Sequence, residues 1–305
     1  MKASLRIGID IGGTGTKFGV VTSEGSIASQ STIPTRNFER PELFADALTN
    51  ELKAMVKGLG GLENFSGIGI GAPNGNFYTG NIEHAPNLLW KGIVPMASLI
   101  QERMGLPTTL TNDANAAAMG EMIYGAAKGM KDFFVVTLGT GLGSGFIADG
   151  KVVYGKSGAA GELGHVIVKK NGRECACGRR GCLQMYISAT GLEAWTLEKM
   201  NVSLSAQKLA QAASEGSTEA IQIFEEAGEI LGDALANAAL LFGPEAIFLS
   251  GGVSQAGDLI LKPTRRHFEE ALMPVFKGTI NILPSGLPEN DTAILGASAL
   301  ADSSR

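Results

Sequence analysis

Four residues in one short stretch of this 305-residue chain have the types and spacing to hold a metal ion: His165, Cys175, Cys177 and Cys182, in the pattern H-x9-C-x-C-x4-C. One imidazole and three thiolates make a closed tetrahedral zinc site, which leaves no position for a substrate, so the zinc is expected to be structural. Three cysteines cannot all pair within one chain, and the loop Cys175-Ala176-Cys177-Gly178-Arg179-Arg180-Gly181-Cys182 is poor core material. Zinc held there would fix the angle of His165.

Two glycine turns could hold phosphate. In Asp10-Ile11-Gly12-Gly13-Thr14-Gly15-Thr16-Lys17, backbone N–H groups without Cβ obstruction can surround an anion. Asp10 could bind the magnesium ion that accompanies ATP, and Thr14, Thr16 and Lys17 could reach phosphate oxygens. Leu138-Gly139-Thr140-Gly141-Leu142-Gly143-Ser144-Gly145 repeats the construction after a second apolar run, so Thr140 and Gly141 join the candidate nucleotide ligands. Each turn leads back into a strand, where the dinucleotide fingerprint needs a helix, which disfavours a dehydrogenase. A third turn, Ser250-Gly251-Gly252-Val253, could let a flat nucleoside lie against Gly251 and Gly252, or be a simple strand-to-helix turn.

Asp113, in Thr111-Asn112-Asp113-Ala114-Asn115, stands where an apolar stretch meets a helical one. It could be only a helix cap; near a bound sugar it could accept the proton of an attacking hydroxyl. Asn74, Asn112, Glu162 and His165 are short polar groups at element ends, suited to recognising several hydroxyls.

These residues need elements to position them. Leu5 to Ile11, Phe18 to Thr22, Gly67 to Gly71, Phe133 to Leu138, Phe146 to Tyr154 and Ala246 to Ser250 carry strand patterns. Helical spacing runs from Pro41 to Leu59, Ala206 to Gly216, Glu219 to Phe242 and about Asp291 to Ala301, with the residues 139–145 expected to form one glycine-rich turn. Such alternation predicts an α/β layered protein in two similar halves. At 44% hydrophobic residues the chain can fill two cores.

With 25 basic and 30 acidic residues the net charge is −5, which leaves no broad cationic face and makes nucleic acid a poor partner. The first residues lack a signal-peptide core, no apolar run is long enough to span a membrane, and clustered cysteines fit a reducing compartment, so a cytoplasmic protein is expected, without membrane partners. Only nine residues precede Asp10, which argues against a DNA-binding helix-turn-helix there.

Taken in order, Asp10-Ile11-Gly12-Gly13-Thr14, Asn112-Asp113-Ala114-Asn115, Leu138-Gly139-Thr140-Gly141, Gly161-Glu162-Leu163-Gly164-His165 and the cysteine loop resemble the ROK family of sugar kinases and repressors, over nearly the whole chain. The resemblance implies two ribonuclease-H-like domains of the actin and hexokinase type with a cleft between them, Asp113 as base, Asn112, Glu162 and His165 among the sugar ligands, and a homodimer. After Gly181-Cys182-Leu183 the family's kinases usually carry a glutamate that binds sugar; here Gln184 takes that candidate sugar-binding place, without the charge. Ile82-Glu83-His84-Ala85-Pro86-Asn87-Leu88 and Trp90-Lys91-Gly92 resemble the glucokinase branch, which puts glucose first and leaves fructose, mannose, allose and N-acetylated hexosamines open. A catalytically weak sugar-binding protein is the rival reading. The pattern divides the chain into residues 1–116 plus 292–305, for sugar and phosphate, and 117–291, for nucleotide and zinc.

Overall fold

The structure is a computed structural model and describes residues 5–302. Residues 1–4 and 303–305, expected in the first domain, lie outside the described residues. The chain divides into two units. The first takes the chain up to Gly129, Val152–Ala160 and the chain from Gly286 onward; the second takes Met130–Lys151 and Gly161–Ser285. The expected break after Ala116 falls inside the helix Asp113–Ile123, which belongs whole to the first unit.

In the first unit, alternating apolar residues make β1 (Leu5–Ile11), β2 (Thr16–Val21) and β3 (Ile27–Ile33). Helix α1 (Pro41–Gly58) opens on a proline, whose missing N–H has no partner in a first turn anyway, and buries Phe44, Leu48 and Leu52 along one stripe. There follow β4 (Phe65–Ala72), β5 (Gly75–Asn76), β6 (Asn81–Glu83), β7 (Ile93–Val94), α2 (Met96–Met104), β8 (Thr108–Asn112) and α3 (Asp113–Ile123). The main sheet has the order β3-β2-β1-β4-β8, with β1, β4 and β8 parallel and β2 and β3 antiparallel. Parallel pairing puts the carboxyl ends of β1, β4 and β8 on one edge, where α/β sheets bind ligands.

Two glycines let a helix lie directly on this sheet. Gly8 and Gly69 are register partners in β1 and β4. A Cβ at Gly8 would come within 2.1 Å of Ile294 O, and one at Gly69 within 1.8 Å of Ala297 O, both on the helix Thr292–Ala299. A side chain at either position would push that helix away. The rest of the core gathers Ile7, Ile9, Ile68 and Ile70 under Phe44 and Trp90, whose rings lie 4.8 Å apart.

The second unit repeats the plan. Its elements are β9 (Phe133–Leu138), β10 (Leu142–Ala148), β11 (Lys151–Val152), α4 (Gln184–Ile187), α5 (Ala189–Met200), α6 (Ala206–Ser214), α7 (Thr218–Phe242), β12 (Ala246–Ser250), α8 (Asp258–Ala271) and β13 (Asn281–Pro284). Helix α9 (Thr292–Ala299) then returns to the first unit. The second sheet runs β11-β10-β9-β12-β13, again an antiparallel hairpin joined to two parallel strands. Its core joins Phe134, Val136 and Leu249 to Phe224 and Leu231 of α7. Ser188, Ser205 and Ser217 cap α5, α6 and α7 through their side-chain oxygens. The second glycine turn is shorter than the sequence suggests: β10 resumes at Leu142, so Gly143 and Gly145 are strand residues and residues 139–141 alone make the turn. Among the described residues no helix is long and apolar enough to cross a membrane.

Candidate active site and metal centre

The register of the first sheet brings two acids together. Asp10 pairs with Gly71 across β1 and β4, Gly71 with Thr111 across β4 and β8, and Asp113 follows one residue after β8 ends. Gly71 is the spacer: a Cβ there would lie 3.8 Å from Asp10 Oδ1 and 3.6 Å from Asp113 Cα. Desolvation pushes the Asp10 carboxyl up to about 7, the Asp113 charge adds to the rise, and Lys17 opposes it. Asp113 keeps a surface open to solvent, yet the protein atoms massed around its carboxyl raise its pKa too, against the N–H groups of Ala114 and Asp113. Two neighbouring carboxyls that resist ionisation form a ready place for a divalent cation or a proton acceptor.

Asn112, not Asp113, is the N-cap of α3: its Oδ1 accepts from Ala114 N at 2.9 Å, and Asp113 is the first helical residue. The same N–H reaches Asp113 Oδ1 at 2.8 Å and fixes the carboxyl at the helix start. In the turn of residues 12–15, Gly12 N donates to Gly15 O at 3.1 Å. Gly13 lies under the Asn87 loop, since a Cβ there would meet Asn87 O at 2.5 Å. Thr14 and Lys17 are exposed, whereas Thr16 turns inward and its hydroxyl lies 2.9 Å from that of Thr35. Asn74 has a left-handed backbone, φ 50°, and its Nδ2 donates to Glu83 O and His84 O at 3.0 and 3.3 Å, leaving Oδ1 as the group it can offer a ligand.

In the second unit, residues 139–141 and 251–252 follow the adjacent parallel strands β9 and β12. Gly139 N donates to Gly141 O at 3.0 Å, and Thr190 Oγ1 to Thr140 O at 3.0 Å. Gly251 takes φ 91° against Leu138, where a Cβ would meet Leu138 O at 2.6 Å, while Gly252 has open space around its Cα. Ser144 on β10 bonds Gly161 O and accepts from Leu163 N at 3.1 Å, which anchors the turn carrying Glu162 and His165. His165 Nε2 faces Glu162 Oε2 at 3.8 Å, and its Nδ1 faces Cys175 Sγ at 3.7 Å.

The four expected metal ligands converge, with their donor atoms all within 4.8 Å of one another. Bonds of about 2.3 Å to a tetrahedral zinc place two sulfurs about 3.8 Å apart. Cys177 and Cys182 Sγ stand 3.7 Å apart, too far for a disulfide and right for such an edge. The backbone N–H and guanidinium of Arg179 lower the Cys177 thiol pKa, whereas burial raises that of Cys182. The donor set and its spacing fit zinc.

Two features escaped the sequence. Gln184 Nε2 donates to Cys175 Sγ at 3.1 Å. Tyr154, on the segment Val152–Ala160, stacks on Phe77 with centroids 4.1 Å apart, and burial pushes its hydroxyl up to about 12. No local pattern marks either contact, because each joins residues distant along the chain.

Paired α/β units, each a hairpin joined to parallel strands with a glycine turn after its first strand, define the two-domain fold of actin- and hexokinase-type proteins. The chain belongs to the ROK family, whose model matches residues 6–304. It is 37% identical over 289 residues to a glucokinase of Halalkalibacterium halodurans, covering 88% of this chain and 86% of that one. It is also 30% identical to a xylose repressor of Bacillus subtilis, over 99% of this chain and 78% of the repressor. A ROK glucokinase from Streptomyces griseus, solved with glucose and AMPPNP, superposes with a TM-score of 0.82 at 32% identity, covering 98% of this chain and all of that one.

Proposed function

We propose that the chain transfers the γ-phosphoryl group of ATP to a hexose hydroxyl, converting glucose to glucose 6-phosphate. The observation that carries this is the pairing of Asp10 and Asp113 at the ends of parallel strands, both with raised pKa. The glucokinase relatives support the choice of sugar.

In this reading Asp113 takes the proton of the attacking hydroxyl, and a desolvated carboxylate held by the start of α3 is a stronger base than one in water. Asp10 holds the magnesium ion of ATP, which offsets the charge it resists carrying alone. Gly12, Gly13, Thr14 and Lys17 meet phosphate oxygens, and Thr16 supports them through the backbone, its side chain being turned to Thr35. Thr140, Gly141, Gly251 and Gly252 receive the nucleotide. Asn74, Asn112, Glu162 and His165 bind sugar hydroxyls, with His165 using Nε2 toward the sugar and Nδ1 toward zinc. The zinc is structural and keeps the His165 ring at its angle. The first unit supplies the phosphate turn, Asp113, Asn74 and Asn112, and the second supplies the nucleotide turns, the zinc loop, Glu162 and His165. The enzyme works in the cytoplasm as a homodimer.

A second reading, a catalytically weak sugar-binding protein, is favoured by one observation: Gln184 is neutral and directed at a cysteine. An ATP-dependent phosphorylation panel over glucose, fructose, mannose, N-acetylglucosamine and N-acetylmannosamine separates the readings. The proposal expects glucose to have the highest kcat/KM. Fastest turnover of an N-acetylated sugar would move the assignment to a hexosamine kinase, and binding without turnover on any sugar would favour the second reading.

A further inference from the structure

Val152–Ala160 is a strap that packs with the first unit and leads through Gly161 into the turn carrying Glu162 and His165. Three consecutive residues of the first unit, Asn76, Phe77 and Tyr78, hold it. Asn76 Nδ2 donates to Ser157 O at 3.1 Å, and the Tyr78 hydroxyl to Gly155 O at 2.9 Å. The Phe77 ring stacks on that of Tyr154 at 4.1 Å with 7° between the planes, and Tyr78 meets the same ring edge-on at 6.0 Å. Gly158 lets the strap come this close: its φ is 79°, and a Cβ there would stand 2.6 Å from Asn76 Oδ1. Ala160 N donates back to Tyr154 O at 3.1 Å, which closes the strap into a loop.

The holding residues continue directly from Asn74. Gly75 lies on β8, where a Cβ would meet Thr111 O at 2.3 Å, and Glu83 N donates to Asn74 O at 3.1 Å, so the hairpin of β5 and β6 is seated on the strand that ends at Asn112. Beyond the strap, Ser144 on β10 bonds Gly161 O and accepts from Leu163 N, which leaves no slack between Ala160 and the Glu162 turn. Tyr78 is 59% exposed, so burial gives no reason for an aromatic ring there, whereas its bond to Gly155 does. Stacked rings have few rotatable bonds and hold a strap with little loss of side-chain entropy. We propose that Asn76, Phe77, Tyr78 and Tyr154 form a latch and act as positioning residues for the hexose. They hold the Asn74 hairpin directly, and the turn of Glu162 and His165 through the strap. This rests on the sugar-binding roles proposed above for Asn74, Glu162 and His165.

The test uses full-length protein as wild type, Tyr78→Phe, Phe77→Leu and Phe77→Tyr. Calorimetry gives the affinities for glucose and for AMPPNP, and hydrogen exchange follows the peptide spanning residues 152–160. Tyr78→Phe removes one hydrogen bond and should weaken glucose binding about two- to tenfold. Phe77→Leu removes the stack and should weaken it about tenfold, whereas Phe77→Tyr keeps the ring and should stay within about twofold of wild type. Exchange in the strap should quicken in the two weakened variants, with AMPPNP affinity unchanged in all three. Wild-type glucose affinity in Phe77→Leu would overturn the proposal, whether or not strap exchange had quickened. So would AMPPNP affinity falling in step with glucose affinity, or Phe77→Tyr binding glucose as weakly as Phe77→Leu. Wild-type protein that binds glucose and transfers no phosphate removes the kinase reading alone, since the affinities still decide the latch. Wild-type protein that binds no glucose removes the glucose site and this inference with it.

Discussion

Replacing Asp10 with asparagine should stabilise the protein in alkaline, metal-free buffer while it destroys magnesium-dependent activity. Asp10 would titrate at 3.8 in an unfolded chain and at about 7 in the folded one, chiefly because burial strips water from its carboxyl and secondarily because Asp113 is charged nearby. The folded state thus binds more protons between those values. Ionising Asp10 costs nothing below about pH 4, the cost grows through the window, and it is fully present above about pH 7. A shift of roughly three units corresponds to at most about 4 kcal/mol. Screening at a site that solvent reaches reduces this to about 2–3 kcal/mol. Urea titrations of wild type and Asp10→Asn, followed by circular dichroism in EDTA, should therefore agree near about pH 4 and separate by that amount near about pH 8, the variant being the more stable. Added magnesium should raise the stability of wild type near about pH 8 and leave the variant unchanged. An Asp10→Asn protein no more stable than wild type in alkaline EDTA would refute the costly burial of the Asp10 charge on which the proposed magnesium site depends.

Asp113→Asn should lower kcat by at least about a thousandfold and leave glucose affinity within a few-fold, because the amide keeps the shape and loses the proton acceptance; steady-state kinetics with calorimetric glucose binding check this, and near-normal turnover would remove Asp113 from the reaction. Cys177→Ser should lose bound zinc by elemental analysis and melt at a lower temperature, whereas a variant that kept full zinc would take Cys177 out of the ligand set. Gly69→Ala should cost about 3 kcal/mol or more, since its Cβ would stand 1.8 Å from Ala297 O, and a melting temperature equal to wild type would show that α9 has room to move.

The strands that carry the candidate site were legible because each is a short apolar run ending in glycine or a polar residue: β1, β9 and β12 start and stop where the sequence pattern puts them. The convergence of His165, Cys175, Cys177 and Cys182 was legible because all four fall within eighteen residues, so local chain geometry alone brings them together. Helix α8 was missed: Pro263 interrupts its interior and reads as a breaker, yet the ring packs on Gly228 of α7, where a Cβ would clash at 2.5 Å. The domain division was missed for a related reason. Helix α3 looks like the opening of a second half, but Gly120 and Gly296 let it lie against α9, and that packing decides its unit. Side-chain direction was the least legible layer. Thr16 pointing to Thr35 and Gln184 pointing to Cys175 depend on partners 19 and nine positions away, which no periodicity encodes.

The proposed reaction is most directly tested by incubating the purified protein with ATP, magnesium and glucose labelled with 18O at the 6-hydroxyl, then reading the products by mass spectrometry. A hexose phosphate that keeps the label in its bridging oxygen, formed in step with ADP and absent with Asp113→Asn, is the predicted result. ADP released with inorganic phosphate alone, or no consumption of ATP with any hexose, would contradict it.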